Sequence, residues 1–433
     1  MLRYLPSLLL LVAMSAQAQP AAPPSLTPRA HPEAPSTAYV NGRWFNGTTF
    51  AADTLFSVEG VFTRTRPAEV AHTIDLAGRY LVPPYGDAHT HTLSDAYSVA
   101  MAEPYQEQGI FYVLVLTNSH SGAAEVHAQF EPPTTIDVAY VHGGLTSTQS
   151  HPHGIYERLA LGVFTSAQRE ERRDEILASR LRLNDAYWFI DTEADLEAVW
   201  PQFLAQGPDA VKIYLLDAAR GAAEGNMMGR GLHPALIAPI VEQVHAAGLR
   251  AFAHVETADD VRLALEAGVD GFAHLPGYGY KADDVTIYHL SDEIIQLAGE
   301  RQTIFTPTMA VTTLFHAPGA ERLEAARAYQ RDVLQRLHEA GARIALGADM
   351  WGETSTLEAQ TMQEHEVFEP ATLLDLWTRT TPQVVFPGRA IGRLAPGYEA
   401  SFLALACNPL EDFSCTAQIE VAVKQGAVLQ PTP

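Results

Sequence analysis

The chain has 433 residues, with 51 Asp or Glu against 28 Lys or Arg, so its formal net charge is −23. A charge of this sign repels phosphate backbones and anionic lipid surfaces, which argues against nucleic acid as a partner. The only two cysteines, Cys407 and Cys415, can form neither a disulfide framework nor a thiolate metal cluster. Any metal site must therefore use His, Asp, Glu or an oxygen carried by a lysine.

Residues 1–18 have the composition of a cleavable secretory signal peptide, with Arg3, an apolar run over residues 8–14 and small residues near the cleavage point. The apolar run is too short for a permanent membrane anchor, and no cysteine follows it to carry a lipid. The mature protein is therefore expected to be periplasmic or secreted. In that oxidising compartment Cys407 and Cys415 are predicted to pair, with two buried thiols as the alternative.

The segment after the signal is rich in proline and alanine. Residues 19–37 contain six prolines, and this composition predicts a linker because it cannot bury enough apolar surface to order itself. Residues 38–82 and 389–433 then read as short β segments, with Asn-Gly pairs at positions 41 and 46 that predict tight hairpins. Since these segments flank a long middle region, they predict one discontinuous β-sandwich domain built from both ends of the chain.

The middle region, residues 83–388, repeats a unit of helix, stop glycine and apolar strand. Helical patterns end at Gly207, Gly248, Gly268 and Gly341, and a strand follows each glycine. A polar residue lies near the C-terminal end of each of these strands, in order Lys212, His254, His274 and Asp349. Alternating helices and apolar strands predict a parallel sheet closed into a (β/α)8 TIM barrel, in which chemistry lies at the C-terminal ends of the strands.

A further strand signal precedes two histidines. Residues 80–82 are apolar, and the run GDAHTH follows at 86–91. A strand points residues i and i+2 to the same face, so His89 and His91 should lie side by side at a strand end. A lone strand-end histidine is more often structural, but four of them in one barrel layer with an aspartate indicate a functional site. Neutral imidazoles and oxygen ligands suit Zn²⁺.

With these motifs in place, the chain resembles the amidohydrolase superfamily of metal-dependent hydrolases, in its imidazolonepropionase-like and prolidase-like branch. The resemblance covers nearly the whole mature chain. It is carried by GDAHTH (86–91), DAVKIYL (209–215), AHVET (253–257), FAH (272–274), ALGAD (345–349) and GRLAPGYEASFLAL (392–405). The sequence departs from the family pattern at Tyr85-Gly86, in the apolar second strand over 109–117 and at Ser401, which leaves the substrate open.

The resemblance implies one or two divalent metals, with Zn²⁺ as the expected cofactor. It implies six metal ligands: His89, His91, Lys212, His254, His274 and Asp349. The first two histidines would hold a buried metal with Asp349, and the other two a second metal, bridged by a carbamate on Lys212. A metal lowers the pKa of its bound water toward ~7, and Asp349 would take a proton from that water and pass it to the leaving nitrogen. A mononuclear site with an uncarboxylated Lys212 is the alternative.

The resemblance supports an exported enzyme that hydrolyses carbon–nitrogen bonds other than peptide bonds, or a dipeptidase, acting on a small molecule. A lactonase, phosphoesterase or carbamate hydrolase would use the same metal chemistry, and a non-catalytic periplasmic metal-binding protein is the alternative from another class. Assembly into a homo-oligomer stays open. The charged run 169–175 is expected to be a solvated helix face. Four residues are candidates for substrate binding, each with a packing or solvent-facing role as the alternative: His151, His153, Tyr214 and Arg230.

Overall fold

The computed structural model describes residues 26–130 and 132–430, and it is mixed α/β. The predicted signal peptide lies outside the described residues, as does the first part of the predicted linker. Residues 26–37 of that linker contact the fold: the backbone N of Thr27 donates to the carbonyl of Gly388 at 3.0 Å, and that of His31 to Glu59 at 2.8 Å. The described part of the predicted linker is therefore hydrogen-bonded to the folded chain, although its composition predicts a segment that does not order itself.

The described strands follow in chain order. They are β1 (Thr37–Phe45), β2 (Phe50–Val58), β3 (Val61–Thr63), β4 (His72–Asp75), β5 (Tyr80–Val82), β6 (Tyr85–Thr90), β7 (Ile110–Val115), β8 (Asp137–Tyr140), β9 (Gly144–Thr146), β10 (Tyr187–Phe189), β11 (Val211–Tyr214), β12 (Ala251–His254), β13 (Gly271–Phe272), β14 (Ile304–Phe305), β15 (Arg343–Ile344), β16 (Phe402–Leu405), β17 (Ile419–Lys424) and β18 (Ala427–Gln430).

Helices connect most of the strands after β6. They are α1 (Ala102–Glu107), α2 (His120–Val126), α3 (His153–Ala160), α4 (Ser166–Glu171), α5 (Arg173–Ala178), α6 (Glu193–Leu204), α7 (Ala218–Ala223), α8 (Pro234–Ala246), α9 (Ala258–Ala267), α10 (Asp292–Glu300), α11 (Glu321–Ala340), α12 (Ser355–Glu364), α13 (Pro370–Asp375) and α14 (Thr381–Val385). Short 3-10 helices lie at Val99–Met101, His127–Phe130, Val285–Tyr288, Met309–Leu314 and Phe413–Ala417, and a π-helical segment at Leu376–Thr380 joins α13 to α14. Among the described helices, none has the length and apolarity needed to cross a bilayer.

Strands from both ends of the chain pair in one eight-stranded sheet, of order β18-β17-β16-β5-β1-β2-β3 with β4 on β1. The rings of Phe62 in β3 and Phe402 in β16 stack with centroids 6.4 Å apart. In a flat sheet, four strand spacings would separate these two strands by about 19 Å. The sheet therefore curls until its strands share an apolar cluster that includes Tyr39, Trp44 and Val423.

The two Asn-Gly pairs have different structures. Asn46-Gly47 connects β1 to β2, which pair antiparallel with Phe45 opposite Phe50, so the hairpin predicted there is confirmed. The hairpin predicted at Asn41-Gly42 is wrong, because β1 runs through it with a register shift between Tyr39 and Gly42. A Cβ added at Gly42 would lie 2.8 Å from the side chains of Leu76 and Leu81, so this glycine allows close packing within a bulge.

The middle of the chain forms two parallel sheets. One has seven strands in the order β10-β9-β11-β12-β13-β14-β15, and the other has three, β6-β7-β8. Backbone hydrogen bonds join them on both sides: Ala88 N donates to Leu346 O beyond β15, and Asp209 N donates to Tyr140 O in β8, each at 2.8 Å. The predicted parallel α/β arrangement is confirmed, and the strands that carry the candidate ligands lie side by side.

Helix ends follow the local sequence signals. Thr192 with Asp195, and Thr257 with Asp260, form reciprocal capping boxes at the starts of α6 and α9. Gly268 ends α9 in the left-handed conformation, as Gly341 ends α11. Because the strands begin within a few residues of these glycines, the caps also determine where the polar strand-end residues lie.

Cys407 and Cys415 form a disulfide, which confirms the predicted pairing. The bond closes a short loop after β16, and the 3-10 helix Phe413–Ala417 begins within that loop and continues past Cys415. The carbonyl of Thr416, directly after the disulfide, accepts a hydrogen bond from the hydroxyl of Tyr85 at 3.1 Å, so this segment contacts the first residue of β6.

Candidate metal centre

The backbone brings His89 and Asp349 together. His89 lies in β6 and Asp349 follows β15, and the backbone N of Asp349 donates to the carbonyl of His89 at 2.9 Å. This approach requires a glycine at position 347, where an added Cβ would lie 2.5 Å from the backbone N of His89. The ALGAD sequence is thus explained by close contact between the two segments.

The carboxylate of Asp349 lies at the centre of three histidines. Its Oδ1 is 2.9 Å from Nε2 of His91 and 3.4 Å from Nε2 of His89, and its Oδ2 is 3.6 Å from Nε2 of His274. One ligand atom from each of His89, His91 and Asp349 can be chosen so that all three lie within 4.8 Å of one another. Three donors this close, with the carboxylate only 15% exposed, form a candidate metal site.

Four predicted ligands and one further histidine form a line of neighbouring rings, which we call the histidine row: His91, His89, His274, His254 and His151. The centroid distances along the row are 5.3 Å, 4.9 Å, 4.7 Å and 5.1 Å in that order. The predicted convergence of these strand-end residues, which lie far apart in the sequence, is therefore present in the structure.

Charge states in the row suit a cation. Burial lowers the pKa of both His89 and His274 well below the ordinary histidine value, against the opposing attraction of Asp349. Burial alone would raise the pKa of Asp349, but His89, His91 and His274 outweigh it and hold that pKa well below its usual range. Both ring nitrogens of His89 are buried without a hydrogen-bond partner, an arrangement that metal coordination would satisfy. The donor set therefore fits a divalent metal.

Lys212 lies in β11 and is buried, with its Nζ 5.5 Å from the ring centroid of Tyr214. Among the described residues, no hydrogen bond or ion pair engages this Nζ. Burial lowers the pKa of Lys212 to about 7, although the charge of Asp349 acts in the opposite direction. An appreciable fraction of this amine is therefore neutral near pH 7.

Several neighbours orient the ligand rings, and the sequence did not reveal them. Nδ1 of His91 donates to the carbonyl of Thr117 at 2.9 Å, and Nδ1 of His274 is hydrogen-bonded to Oγ1 of Thr308 at 2.8 Å. Such bonds fix which ring nitrogen faces the metal position. Oε1 of Glu256 lies 3.3 Å from Nε2 of His254 and accepts from the hydroxyl of Tyr278 at 2.9 Å. The His-x-Glu spacing of residues 254 and 256 was the available signal, since it repeats the spacing of His-x-His.

Two of the four substrate candidates adjoin the histidine row. His151 has its ring 5.1 Å from those of both Tyr214 and His254. Tyr214 is hydrogen-bonded through its hydroxyl to Oγ1 of Thr117 at 2.7 Å. The structure does not bring the other two candidates to the row. His153 turns its Nε2 to the carbonyl of Ser179 at 3.0 Å, and Arg230 donates to Asp217 at 3.1 Å.

A cavity of about 670 Å³ begins at His151. It lies between α3 and the helices α4 and α5, so part of the charged run predicted to be a solvated face lines it. The lining residues are Gln149, His151, Gly154, Ile155, Arg158, Ser166, Arg169, Glu170, Arg173, Ile176 and Leu177.

Comparison with known proteins gives a consistent family. The model of the amidohydrolase family matches residues 80–429. Ochratoxinase of Aspergillus niger is 28% identical over 236 residues, which are 49% of this chain and 47% of the relative. The match thus spans about half the length of this curated relative.

Solved structures share the fold over almost the whole chain. The structure of A. niger ochratoxinase matches with a TM-score of 0.70 at 19% identity, covering 92% of this chain and 96% of that one. A Xaa-Pro dipeptidase matches with a TM-score of 0.69 at 16% identity, covering 92% and 100%. Molinate hydrolase matches with a TM-score of 0.67 at 15% identity, covering 92% and 95%.

Proposed function

The chain belongs to the amidohydrolase family, and on that premise we propose that it is an exported, metal-dependent hydrolase of a carbon–nitrogen bond in a small amide or dipeptide. The resemblance predicted from the sequence motifs is thereby confirmed at the level of the family. The observation that carries the proposal is the histidine row, in which Asp349 lies within 3.6 Å of three imidazoles.

We propose Zn²⁺ as the metal, because nitrogen donors from histidine combined with carboxylate oxygen are its usual ligands. His89, His91 and Asp349 would hold the first ion, and His254 with His274 would hold a second. When bound, the metal supplies Lewis acidity, which lowers the pKa of a coordinated water toward ~7. The neutral state of the buried imidazoles and the lack of a hydrogen bond to either nitrogen of His89 support this assignment.

Asp349 would act as the proton shuttle. Its low pKa keeps the carboxylate ionised, so an oxygen can accept the proton released as water attacks the amide carbonyl. The same proton would then pass to the leaving nitrogen as the carbon–nitrogen bond breaks. One carboxylate thus acts first as base and then as acid, and no other proton donor is needed in the step.

Lys212 is proposed to be carboxylated. Its neutral amine would attack CO₂, forming a nitrogen–carbon bond and releasing one proton, and the product would carry an anionic carboxylate. This anion could bridge two cations and offset their repulsion. Support comes from the buried position of Lys212, its lack of an ion pair in the described part of the chain and its lowered pKa. If the lysine stays uncarboxylated, we expect a single metal.

We further propose that the two parallel sheets form one (β/α)8 barrel over residues 83–388, with residues 38–82 and 389–433 as a second domain. The two backbone hydrogen bonds between the sheets support the barrel. The curled sheet with its own apolar cluster supports the second domain. Export to a periplasm or beyond the cell is supported by the signal-like residues 1–18 and by the disulfide.

Metal analysis and substrate screening test the proposal. Protein prepared without chelator should contain between one and two equivalents of a divalent metal, and the double substitution His89→Ala with His91→Ala should remove most of it. Metal content unchanged in that variant would overturn the assignment. The metal-loaded protein should hydrolyse members of dipeptide or N-acyl amino acid libraries. Turnover only of lactones, phosphoesters or carbamates would redefine the bond cleaved, and bound metal without any turnover would indicate a binding protein.

A further inference from the structure

The cavity that begins at His151 is lined by three arginines and one glutamate. We propose that it binds a carboxylate carried on an apolar part of the substrate, and that Arg158, Arg169 and Arg173 recognise this anion. The inference deepens the proposed function and rests on it for the identity of the reacting bond. It assigns the end of the substrate that lies away from Asp349.

The described residues around the three arginines do not hold them in ion pairs. Within the described part of the chain, no hydrogen bond or ion pair engages the guanidinium of Arg158, Arg169 or Arg173. Their neighbour Arg172 differs, because it holds Glu175 through two hydrogen bonds of 2.7 Å and 2.8 Å. In a chain with a net charge of −23, three unpaired cations around one cavity indicate a site kept for an external anion.

The shape of the charge favours a carboxylate. A guanidinium presents a planar fork of N–H donors that matches the two oxygens of a carboxylate. Arg158 is half-buried in α3, whereas Arg169 and Arg173 are exposed, so Arg158 should contribute the most binding energy. Glu170 is the one acidic side chain that lines the cavity, and it should weaken the binding of an anion.

The remaining wall of the cavity is apolar. Ile155, Ile176 and Leu177 line it, and Ile176 is buried. A volume of about 670 Å³ falls within the range of small-molecule sites. The combination of an apolar wall and a cationic rim suits an acid on an apolar body, such as an N-acyl derivative of an apolar amino acid or a dipeptide that ends in one.

His151 connects the cavity to the site of reaction. It lines the cavity, and its ring is 5.1 Å from that of His254 in the histidine row. Because His151 lies between the cavity and His254, a ligand whose anion lies among the arginines would have its other end beside the histidine row. This placement replaces His153 and Arg230, the loop residues predicted for substrate binding, with arginines of α3, α4 and α5.

Calorimetric titration of the metal-loaded, full-length protein tests the inference without turnover. The probes are 3-phenylpropanoate and its neutral match, 3-phenylpropanamide. Arg158→Gln should weaken binding of the acid about tenfold. Arg173→Gln should weaken it about threefold, because the side chain is exposed. Neither substitution should change the affinity for the amide, and added salt should reduce binding of the acid alone.

Two further variants test whether the sign and the position of the charge decide the affinity for the acid. Glu170→Gln should strengthen binding of 3-phenylpropanoate about twofold, an effect that damage to the fold would not produce. Arg331→Gln is the matched control, because Arg331 is exposed in α11 and does not line the cavity. It removes the same charge and should leave both affinities unchanged.

The inference is overturned if the wild-type protein fails to bind the acid. It is also overturned if the arginine variants weaken the acid and the amide equally, or if Glu170→Gln has no effect. These outcomes do not depend on hydrolysis, so they are distinct from a failure of the proposed function. Where a substrate is found, KM for a carboxylate-bearing amide should rise in Arg158→Gln with little change in kcat, while KM for its carboxamide analogue stays constant.

Discussion

Two buried clusters of charged or titratable side chains in the described part of the chain are built in opposite ways. In the first, which we call the Asp137 network, every charge meets its opposite. Asp137 accepts from Lys424 at 2.8 Å and from Arg389 at 2.7 Å, and Arg389 also pairs with Glu399 at 2.7 Å. The second, which we call the unsatisfied cluster, is the histidine row together with Asp349 and Lys212. In it, both nitrogens of His89 lack a hydrogen bond and Lys212 lacks an ion pair in the described chain.

The difference separates structure from function. Asp137 lies in β8 of a parallel sheet, while Lys424 ends β17 of the terminal sheet, so the Asp137 network joins the two regions. Its burial is compensated internally and needs no ligand. The unsatisfied cluster leaves the buried nitrogens of His89 without hydrogen bonds, which is costly unless a cation binds. Satisfied buried charges thus indicate a structural joint, and unsatisfied ones indicate a site.

The largest expected effect is on catalysis, in the variant Asp349→Asn. The amide keeps an oxygen for a metal but cannot accept a proton, so kcat should fall by about 10²–10⁴-fold while much of the metal remains. The protein should remain folded, because the amide keeps the shape of the carboxylate. Steady-state kinetics with metal analysis measure this, and near-normal turnover would exclude the shuttle.

The Asp137 network predicts the reverse result. Asp137→Asn leaves the ammonium of Lys424, which is fully buried, beside a neutral amide, and this should cost about 3–5 kcal/mol of the free energy of unfolding. Metal content per folded molecule should not change. Asp259→Asn is the control, because it breaks a pair whose carboxylate side is 65% exposed and should cost under about 1 kcal/mol. Equal losses of the free energy of unfolding in both variants, measured by denaturant unfolding, would mean that the Asp137 network stabilises the fold no more than an exposed ion pair does.

Much of the histidine row could be predicted because local signals fixed it. Gly248, Gly268 and Gly341 have positive φ angles that stop helices, and a short strand then carries His254, His274 or Asp349 to the same edge. His89 and His91 needed only the alternation of a strand. In each case the sequence spacing and the three-dimensional position are linked by regular secondary structure.

Other features depend on tertiary packing, for which the sequence has no local period. The run that contains Arg169 and Arg173 has the composition of a solvated face, and both residues are exposed, yet the packing of α4 and α5 beside α3 turns them to a cavity. Asn41-Gly42 carries a hairpin signal, but the side chains of Leu76 and Leu81 leave room only for a bulged glycine at position 42.

The disulfide offers a reference outside both clusters. Replacing Cys407 and Cys415 by serine opens a loop of sequence separation 8 and should lower the free energy of unfolding by about 2 kcal/mol. Metal content and kcat should stay at wild-type values, because no hydrogen bond or ion pair in the described structure links the loop to either cluster. Unfolding curves beside metal analysis measure both. Metal lost in proportion to stability would mean that the site depends on overall rigidity and not on its own donors.

The smallest expected effect is a pH dependence of the free energy of unfolding that Lys212 causes. It tests the unsatisfied cluster directly. Burial lowers its folded-state pKa to about 7, below the ordinary value of 10.5, so between these values the unfolded chain binds more protons. The cost of burying the ammonium is fully present below pH 7 and disappears as the pH rises toward 10.5. Stability of metal-free, bicarbonate-free wild type should therefore rise by about 1 kcal/mol per pH unit between pH 8 and 9, relative to Lys212→Met.

If the free energy of unfolding changes with pH equally in wild type and Lys212→Met across this range, the amine has an ordinary pKa and is a poor nucleophile for CO₂. Added bicarbonate extends the test, because carboxylation converts the amine to an anion that no longer titrates as a lysine. With metal and bicarbonate present, the slope should remain, because unfolding returns the carbamate to bicarbonate and a protonated lysine and so still takes up a proton. A second equivalent of metal should bind, and the wild type should become more stable than Lys212→Met at every pH in this range. The bound metal would then compensate the charge at position 212, as Lys424 and Arg389 compensate Asp137 in the Asp137 network.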